Sequence, residues 1–409
     1  DCRWGWFPSV SVGWNVSNES FWNAEKTDLK IRASYGRTGN QDGISNYGWQ
    51  ALISGGANYG GQSGIAISSS GNDRLTWETA DQYNAGFDLS FLGGKINMIA
   101  DVYLKNTNNL LYSKPVHATT GETSILSNIG SMRNKGIEFT INTHFNLGKV
   151  QWNSSLNIAR NVNKLTALLE DDMLSIGSNR ALKIGRTVGS WYIFRKDGIY
   201  QYDGEVPQTL YDKGVRAGDV KYWDRNGDGN ITDDDRIVTG NPNPKFSGGW
   251  NNSFKYKGLE LSVFFTYSYG NDVFASWMGP ASKPGYTRAL LKEFADNRWT
   301  GPGTTNEYPR AVYSYSGWNA KNSTGLLKDG SFIRLRSMTL GYTFPQRMIS
   351  KIHLKGLRLY LQGDNLFLCS RYPGWDPETS VNLDPRFYGE DNDGVPQPRI
   401  FKLGVNITF

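Results

Sequence analysis

The chain has 409 residues, 38% hydrophobic and 13% aromatic, with 44 Lys+Arg against 38 Asp+Glu for a formal charge of +6. The two signs are interspersed, which excludes the basic stripe of a nucleic-acid binder, and Cys2 and Cys369 are too few for a disulfide framework or a cysteine zinc site. No apolar run reaches the roughly 18 residues of a membrane helix, whereas low bulk hydrophobicity beside 22 Tyr, 19 Phe and 14 Trp suits a wall apolar on one face and belted by aromatics.

From the N-terminus onward the apolar residues recur with a period of two, the signature of strands with one apolar and one polar face. Leu29, Ile31, Ala33 and Tyr35 alternate with Lys30, Arg32 and Ser34. Tyr83, Ala85, Phe87, Leu89 and Phe91 alternate with Asn84, Asp88 and Ser90, and Ile96, Met98, Ala100, Val102 and Leu104 with Asn97, Asp101 and Lys105. Ile137, Phe139 and Ile141 follow, then Leu259, Leu261, Val263, Phe265 and Tyr267. The last strand is the cleanest: Phe401, Leu403, Val405, Ile407 and Phe409 are separated by Lys402, Gly404, Asn406 and Thr408. Arg334 and Arg336 share the parity of Met338, Leu340, Tyr342 and Phe344, so a bulge or a water-exposed strand end is expected there.

The alternation predicts about thirteen strands, near 4–17, 27–38, 76–92, 95–107, 128–146, 150–163, 181–188, 191–202, 245–256, 258–270, 331–344, 356–368 and 399–409. Connections alternate between tight turns (Leu92–Lys95, Asn146–Lys149, Tyr256–Gly258) and long Gly/Asn/Ser/Pro-rich loops near 39–75, 108–127, 203–244, 271–330 and 369–398. A soluble sandwich also alternates. Full charges on strand after strand and short turns opposite long loops favour an all-β fold, a transmembrane antiparallel β-barrel, with the long loops extracellular. An odd strand count brings the first and last strands together in parallel, so residues 1–409 are expected to form part of a barrel rather than to close one, since an open edge in lipid leaves backbone groups unpaired.

Several motifs carry a resemblance. Asn128-Ile-Gly-Ser-Met-Arg-Asn-Lys-Gly136-Ile-Glu138 is one, and Gly218-Asp-Val-Lys-Tyr-Trp-Asp224-Arg-Asn-Gly-Asp-Gly-Asn-Ile231 with Asp235, Gly240 and Asn243-Pro-Lys-Phe246 is another. Asp329-Gly-Ser-Phe-Ile-Arg-Leu-Arg336, Leu340-Gly-Tyr342, Asn365-Leu366, Tyr372-Pro-Gly-Trp-Asp-Pro-Glu378 and Pro398-Arg399 complete the set. In this order they resemble the SusC/RagA family of TonB-dependent outer-membrane transporters, from about Trp4 to the end. The resemblance implies the C-terminal part of a barrel of roughly 22 strands, whose plug and TonB-contacting segment are not among these residues. It also implies a SusD-like surface lipoprotein as lid, the TonB complex as energy source, outer-membrane lipid around the wall, and an oligosaccharide or peptide nutrient as cargo. Phe409, a terminal aromatic on an alternating strand, resembles the signal read during outer-membrane assembly.

Asp224, Asn226, Asp228, Asn230 and Asp235 match the spacing of a calcium loop, with Gly229 at the sharp turn. Asp, Asn and Gly also build turns without metal, so a structural calcium, not required for activity, stands beside a plain turn-rich loop. Trp277, Trp299, Trp318, Tyr372, Trp375 and Tyr388 lie in predicted loops, where they could stack on a sugar, meet a lid protein or pack loop against loop. Asp171, Asp172 and residues 233–235 read as solvated loop charge. His117, His144 and His353 have no partners at motif spacing, and no enzyme constellation stands out. Energised import is the expected function; a passive porin, a soluble glycan-binding β-protein and an outer-membrane enzyme are the rivals.

Overall fold

The computed structural model describes residues 4–409 except 59, 118, 120, 123, 170, 171, 282–288 and 313–316. Cys2 and Asp171 therefore lie outside the described residues. Contacts divide the chain into two units, residues 1–144, 157–173 and 183–187 in the first and 145–156, 174–182 and 188–409 in the second.

In the first unit, strands Ser9–Asn15, Asp28–Asn40, Glu78–Phe91, Ile96–Pro115 and Ser124–Leu147 pair antiparallel in chain order. The register sets Val12, Ala33, Ala85, Val102 and Ile137 in one row. The next row is Gly13, Arg32, Gly86, Asp101 and Glu138. Because side chains alternate across a strand, the two rows face opposite sides. The apolar row faces outward into open space: Val12 is 66%, Val102 49% and Ile137 55% exposed. Opposite it, Arg32 donates to both oxygens of Asp88 at 2.9 and 3.0 Å and to Asp101 at 3.1 Å. Gly86 makes that reach across the strand possible, because a Cβ there would stand 2.2 Å from Asp101 Oδ1.

The turns close as their residues dictate. Leu92, Gly93 and Gly94 all have positive φ between the strands they join. The segment near 108–127, expected as a loop, is mostly strand: pairing runs to Pro115 and resumes at Ser124, past an irregularity at Thr107–Leu111 where Asn109 takes φ 59°. Its apolar and β-branched residues, Leu110, Leu111, Tyr112, Ile125 and Leu126, continue the ladder that its Asn and Ser content had suggested would end. At about 3.4 Å per residue, the 24 residues of Ser124–Leu147 extend roughly 80 Å, far longer than a membrane's apolar band. Within 39–75, Leu52–Gly55 and Ile65–Ser69 form a small hairpin.

In the second unit, Phe246–Tyr256, Leu259–Tyr269, Phe332–Thr343, Gly356–Ser370 and Ile400–Thr408 pair antiparallel in chain order. Lys257 and Gly258, both at positive φ, make a two-residue hairpin turn of the primed kind. Phe254, Leu261, Leu340, Leu361 and Leu403 stand in one row, and Leu403 is 81% exposed. Charged groups on the other parity pair across strands, Arg358 with Glu260 at 3.2 Å and Lys402 with Asp364 at 2.6 Å. Strand Val150–Leu168 completes the set of eleven long strands, residues 150–156 counting with the second unit and the rest with the first.

The segments 181–188 and 191–202 are not wall strands as expected. Arg180–Lys183 and Trp191–Phe194 pair with each other, and Trp191–Phe194 pairs also with Arg236–Thr239, in a separate short sheet; Lys196–Ile199 pairs with Val220–Tyr222. Arg180, Ala181, Leu182, Trp191, Ile193 and Phe194 are buried with no alternation, so these strands have protein on both faces. Among the described residues the long strands number eleven, two fewer than expected.

The bulge anticipated at Arg334–Arg336 is present. Register slips between Leu335 and Ser337 on one side and between Phe264 and Phe265 on the other, leaving Arg336 as the extra residue. Before it Ile333 and Leu335 share the apolar face; after it Met338 and Leu340 do, and Arg334 lies on the polar side. The neighbouring strand bulges at the same level, with Asn365 at φ 54°.

The buried core of the second unit sits in the connections between its long strands. Phe194, Ile199, Tyr200, Leu210, Val215, Val220, Tyr222 and Ile231 form one cluster, Trp191, Ile193 and Phe274 another, and Val273, Ala275, Met278 and Tyr372 a third. This arrangement inverts a soluble β-protein: the loops are dry inside while the strands carry exposed apolar rows.

Candidate functional site

The segments 203–244, 271–330 and 369–398, expected as loops, fold into a packed region held by charged side chains. Asp219, 0% exposed, accepts from Arg310 Nε at 2.8 Å and Nη2 at 3.0 Å, from Asn319 Nδ2 at 3.0 Å and from the Arg216 amide at 2.9 Å. The planar Arg310 fork fits the two carboxylate oxygens, so the first segment is clamped to the second. Asp391, also buried, accepts from Tyr372 Oη at 2.6 Å and Trp277 Nε1 at 3.1 Å, joining the second to the third. Burial and Asp391 together hold the Tyr372 phenol far above the usual tyrosine range.

Arg180 is fully buried with its ring partner Trp191, 4.2 Å from guanidinium to ring centroid. It donates to the carbonyls of Gly189 at 2.5 Å and of Phe387 and Tyr388 at 3.1 Å. Burial lowers its affinity for the proton to about 10, against the pull of Glu390 3.8 Å away. Arg334 pairs with Asp376 at 2.5 Å and Glu378 at 2.6 Å, and Arg336 with Glu378 at 2.5 Å. Of these anchors the sequence had marked Arg334 and Arg336 only for a bulge or a water-exposed strand end, and Trp277 and Tyr372 only as loop aromatics; the rest were not singled out. Asp219, Arg334, Arg336, Asp376 and Glu378 all fall inside the family-like motifs quoted above, which was the available signal; Arg180 and Arg310 carried none.

The calcium-spaced residues do come together, as a turn. Asp224 accepts from the amides of Gly227 at 2.7 Å and Gly229 at 2.8 Å. Asn226 accepts from the Asp228 amide at 3.0 Å and Asp228 from the Asn230 amide at 2.7 Å. Asp235 is buried, with one oxygen on the Arg225 amide and the other on that of Thr232. Lys213 Nζ stands 2.7 Å from Asn230 Oδ1, supplying a positive charge of its own. Gly227 and Gly229 hold the positive φ that this winding needs. Among the described residues no three His, Cys, Asp or Glu side chains converge as a ligand set. These oxygens accept from the loop's own N–H groups, as in Asx turns.

The six loop aromatics divide. Trp299 and Trp318 pack on the largest core cluster, and Trp318 donates to the Val220 carbonyl at 2.9 Å. Trp277 and Tyr372 belong to the Asp391 junction. Tyr388 gives its carbonyl to Arg180. Trp375 is 80% exposed and free to meet another molecule. Phe409 is likewise exposed, just past strand Ile400–Thr408 and on the parity of its apolar row.

With this geometry in hand, comparison with known proteins is direct. The family model described as "TonB dependent receptor-like, beta-barrel" matches residues 3–366. TonB-dependent receptor P3 of Formosa agariphila is 31% identical over all of this chain and 42% of its own length, and receptor P26 of the same organism 33% identical over all of this chain and 43% of its own. TonB-dependent receptor SusC of Bacteroides thetaiotaomicron is 29% identical over all of this chain and 40% of its own length. The structure of the RagAB peptide transporter superimposes with a TM-score of 0.84 at 24% identity, covering 99% of this chain and 44% of that one, which bears on the fold alone.

The chain belongs to the TonB-dependent receptor-like β-barrel family and, within it, is of the SusC/RagA type, an outer-membrane β-barrel. The family is one of receptors, not of enzymes. The chain spans about two fifths of the length of the curated relatives it matches.

Proposed function

We propose that this chain supplies barrel strands and extracellular loops to a TonB-dependent importer of an oligomeric nutrient, an oligosaccharide or a peptide, that works with a SusD-like surface lipoprotein. The observation that carries the reading is the division of labour along the chain. Long strands expose an apolar face suited to lipid and pair charges on the other, while the loops between them form a rigid, ion-paired region able to hold a ligand or a lid. In this reading Trp375, which is exposed, contacts lid or ligand, and Phe409, also exposed, is read during assembly. Import under this reading needs no cofactor, and a structural calcium in the Asp224–Asp235 loop is compatible with it.

The experiment is uptake by cells producing the complete receptor. Deleting the TonB-contacting segment abolishes uptake under this reading; uptake that persists unchanged makes the protein a passive channel. Trp375→Ala weakens lid or ligand binding without lowering the amount of receptor in the membrane, whereas Phe409→Ala lowers that amount.

A further inference from the structure

Lys196 and Lys328, on strands Lys196–Ile199 and Leu327–Asp329, line one small cavity of about 50 Å³. By the measure in which a water takes about 10–15 Å³, it holds roughly four waters. A sugar ring does not fit; the end group of a larger molecule does.

Its lining carries three lysines, Lys196, Lys321 and Lys328, and one acidic residue, Glu307. Lys196 Nζ donates to the Glu307 carbonyl, and no carboxylate lies within 4.0 Å of Lys196 or Lys328 among the described residues. The Glu307 side chain, exposed, attracts Lys196 only at longer range, and Lys328 repels it. The Lys328 side chain has no hydrogen-bond or ion-pair partner among the described residues. Lys321, also in the lining, is turned over the rings of Phe194 and Trp318, 5.0 and 5.4 Å from their centroids. Ser323 is 5% exposed and lines the same cavity, yet its hydroxyl makes no hydrogen bond among the described residues. Gly325 leaves room for the Lys196 stem, since a Cβ there would lie 2.8 Å from Lys196 Cδ.

Two ammonium groups around one small space repel each other and are matched by an anion with two oxygens, to which the Ser323 hydroxyl can add a donor. We propose that this cavity binds a carboxylate group, held between Lys196 and Lys328 with Ser323 Oγ as a further donor. The chemistry is shared by the C-terminus of a peptide and the acid group of a uronic sugar. The inference concerns the cavity itself and stands whether or not the complete receptor imports what it binds.

Site-resolved lysine labelling of the purified complete receptor tests it. Burial leaves Lys196 with an ammonium that loses its proton at about 8, so it is the reactive amine to follow. A carboxylate beside it favours the charged form and slows reaction. Reductive methylation near neutral pH, read by mass spectrometry, is compared in sodium acetate and in sodium chloride of equal ionic strength. Lys196 labelling is expected to fall about fivefold or more in acetate, with Lys292, 88% exposed, unchanged. Lys328→Met keeps Lys196 reactive in chloride, which shows the site folded, and removes the protection. Equal rates in the two salts, or undiminished protection in Lys328→Met, overturn the proposal. A tripeptide against its C-terminal amide, and galacturonate against galactose, identify the source: protection by the acid member of either pair supports the site, and protection by neither acid overturns it.

Discussion

Arg334 Nη2 donates to Asp376 Oδ1 at 2.5 Å, with both side chains almost wholly withdrawn from solvent. The pair fastens segment 371–398 to strand Phe332–Thr343, and Asp376 is further committed by the amides of Glu378 at 3.0 Å and Gln397 at 3.1 Å. Removing one partner of a buried pair strands the other charge, at a cost of about 3–5 kcal/mol. Asp376→Leu is therefore expected to open segment 371–398 to protease and hydrogen exchange, and Arg334→Leu combined with Asp376→Leu to recover much of the loss. A double variant as labile as the single one would mean that the pair's geometry, rather than the orphaned charge, sets the cost.

Gly86 is the second point of leverage. A methyl there meets Asp101 Oδ1 at 2.2 Å and the Ala100 carbonyl at 2.7 Å. Gly86→Ala should break the Arg32–Asp101 contact and destabilise the assembled receptor by about 1–3 kcal/mol. A lower midpoint of urea unfolding in lipid vesicles is the readout, and an unchanged midpoint refutes the claim that Gly86 is there to let Arg32 through.

The Asp224–Asp235 loop offers a test of the calcium spacing. Since its oxygens are engaged by its own amides and Lys213 sits on Asn230, chelation of calcium is expected to leave hydrogen exchange across residues 224–235 unaltered. Asp224→Ala, which frees the amides of Gly227 and Gly229, should increase it by a factor corresponding to about 1–2 kcal/mol. Slower exchange on adding calcium would restore the metal to the loop's design.

Lys196 links the loops to pH. Burial, the largest cause, brings its proton affinity from the ordinary 10.5 to about 8. Between those values the unfolded state binds more protons than the folded one, so stability rises with pH. The penalty is fully present below about 8 and gone by 10.5. Measured against Lys196→Met, which does not titrate there, protection of the Val220–Tyr222 strand should increase across that window; a flat difference would contradict the burial of the ammonium.

Much of the wall could be read from residues because a strand's side chains alternate locally. Ile31 against Arg32, or Leu403 against Lys402, declares its face without knowledge of any neighbour, and positive-φ turns such as Lys257-Gly258 announce themselves in the same way. The slip at Arg336 was one of the two outcomes open to the sequence, since two arginines on an apolar parity call for a bulge or a water-exposed strand end. Segments 181–188 and 191–202 misled because a doubly buried strand is apolar throughout and carries no sign of which sheet it joins.

The family motifs likewise marked Asp219, Arg334 and Asp376 without saying what they do. Period and turn chemistry are properties of neighbours in sequence, and they sufficed for most of the long strands and for which face of each is apolar. The clamps Arg310–Asp219 and Arg334–Asp376, separated by 91 and 42 residues, and the cavity shared by Lys196 and Lys328 came only from the fold. Pairing across such intervals depends on where loop closure brings charges together and how much water is left between them, and neither quantity is encoded in local spacing.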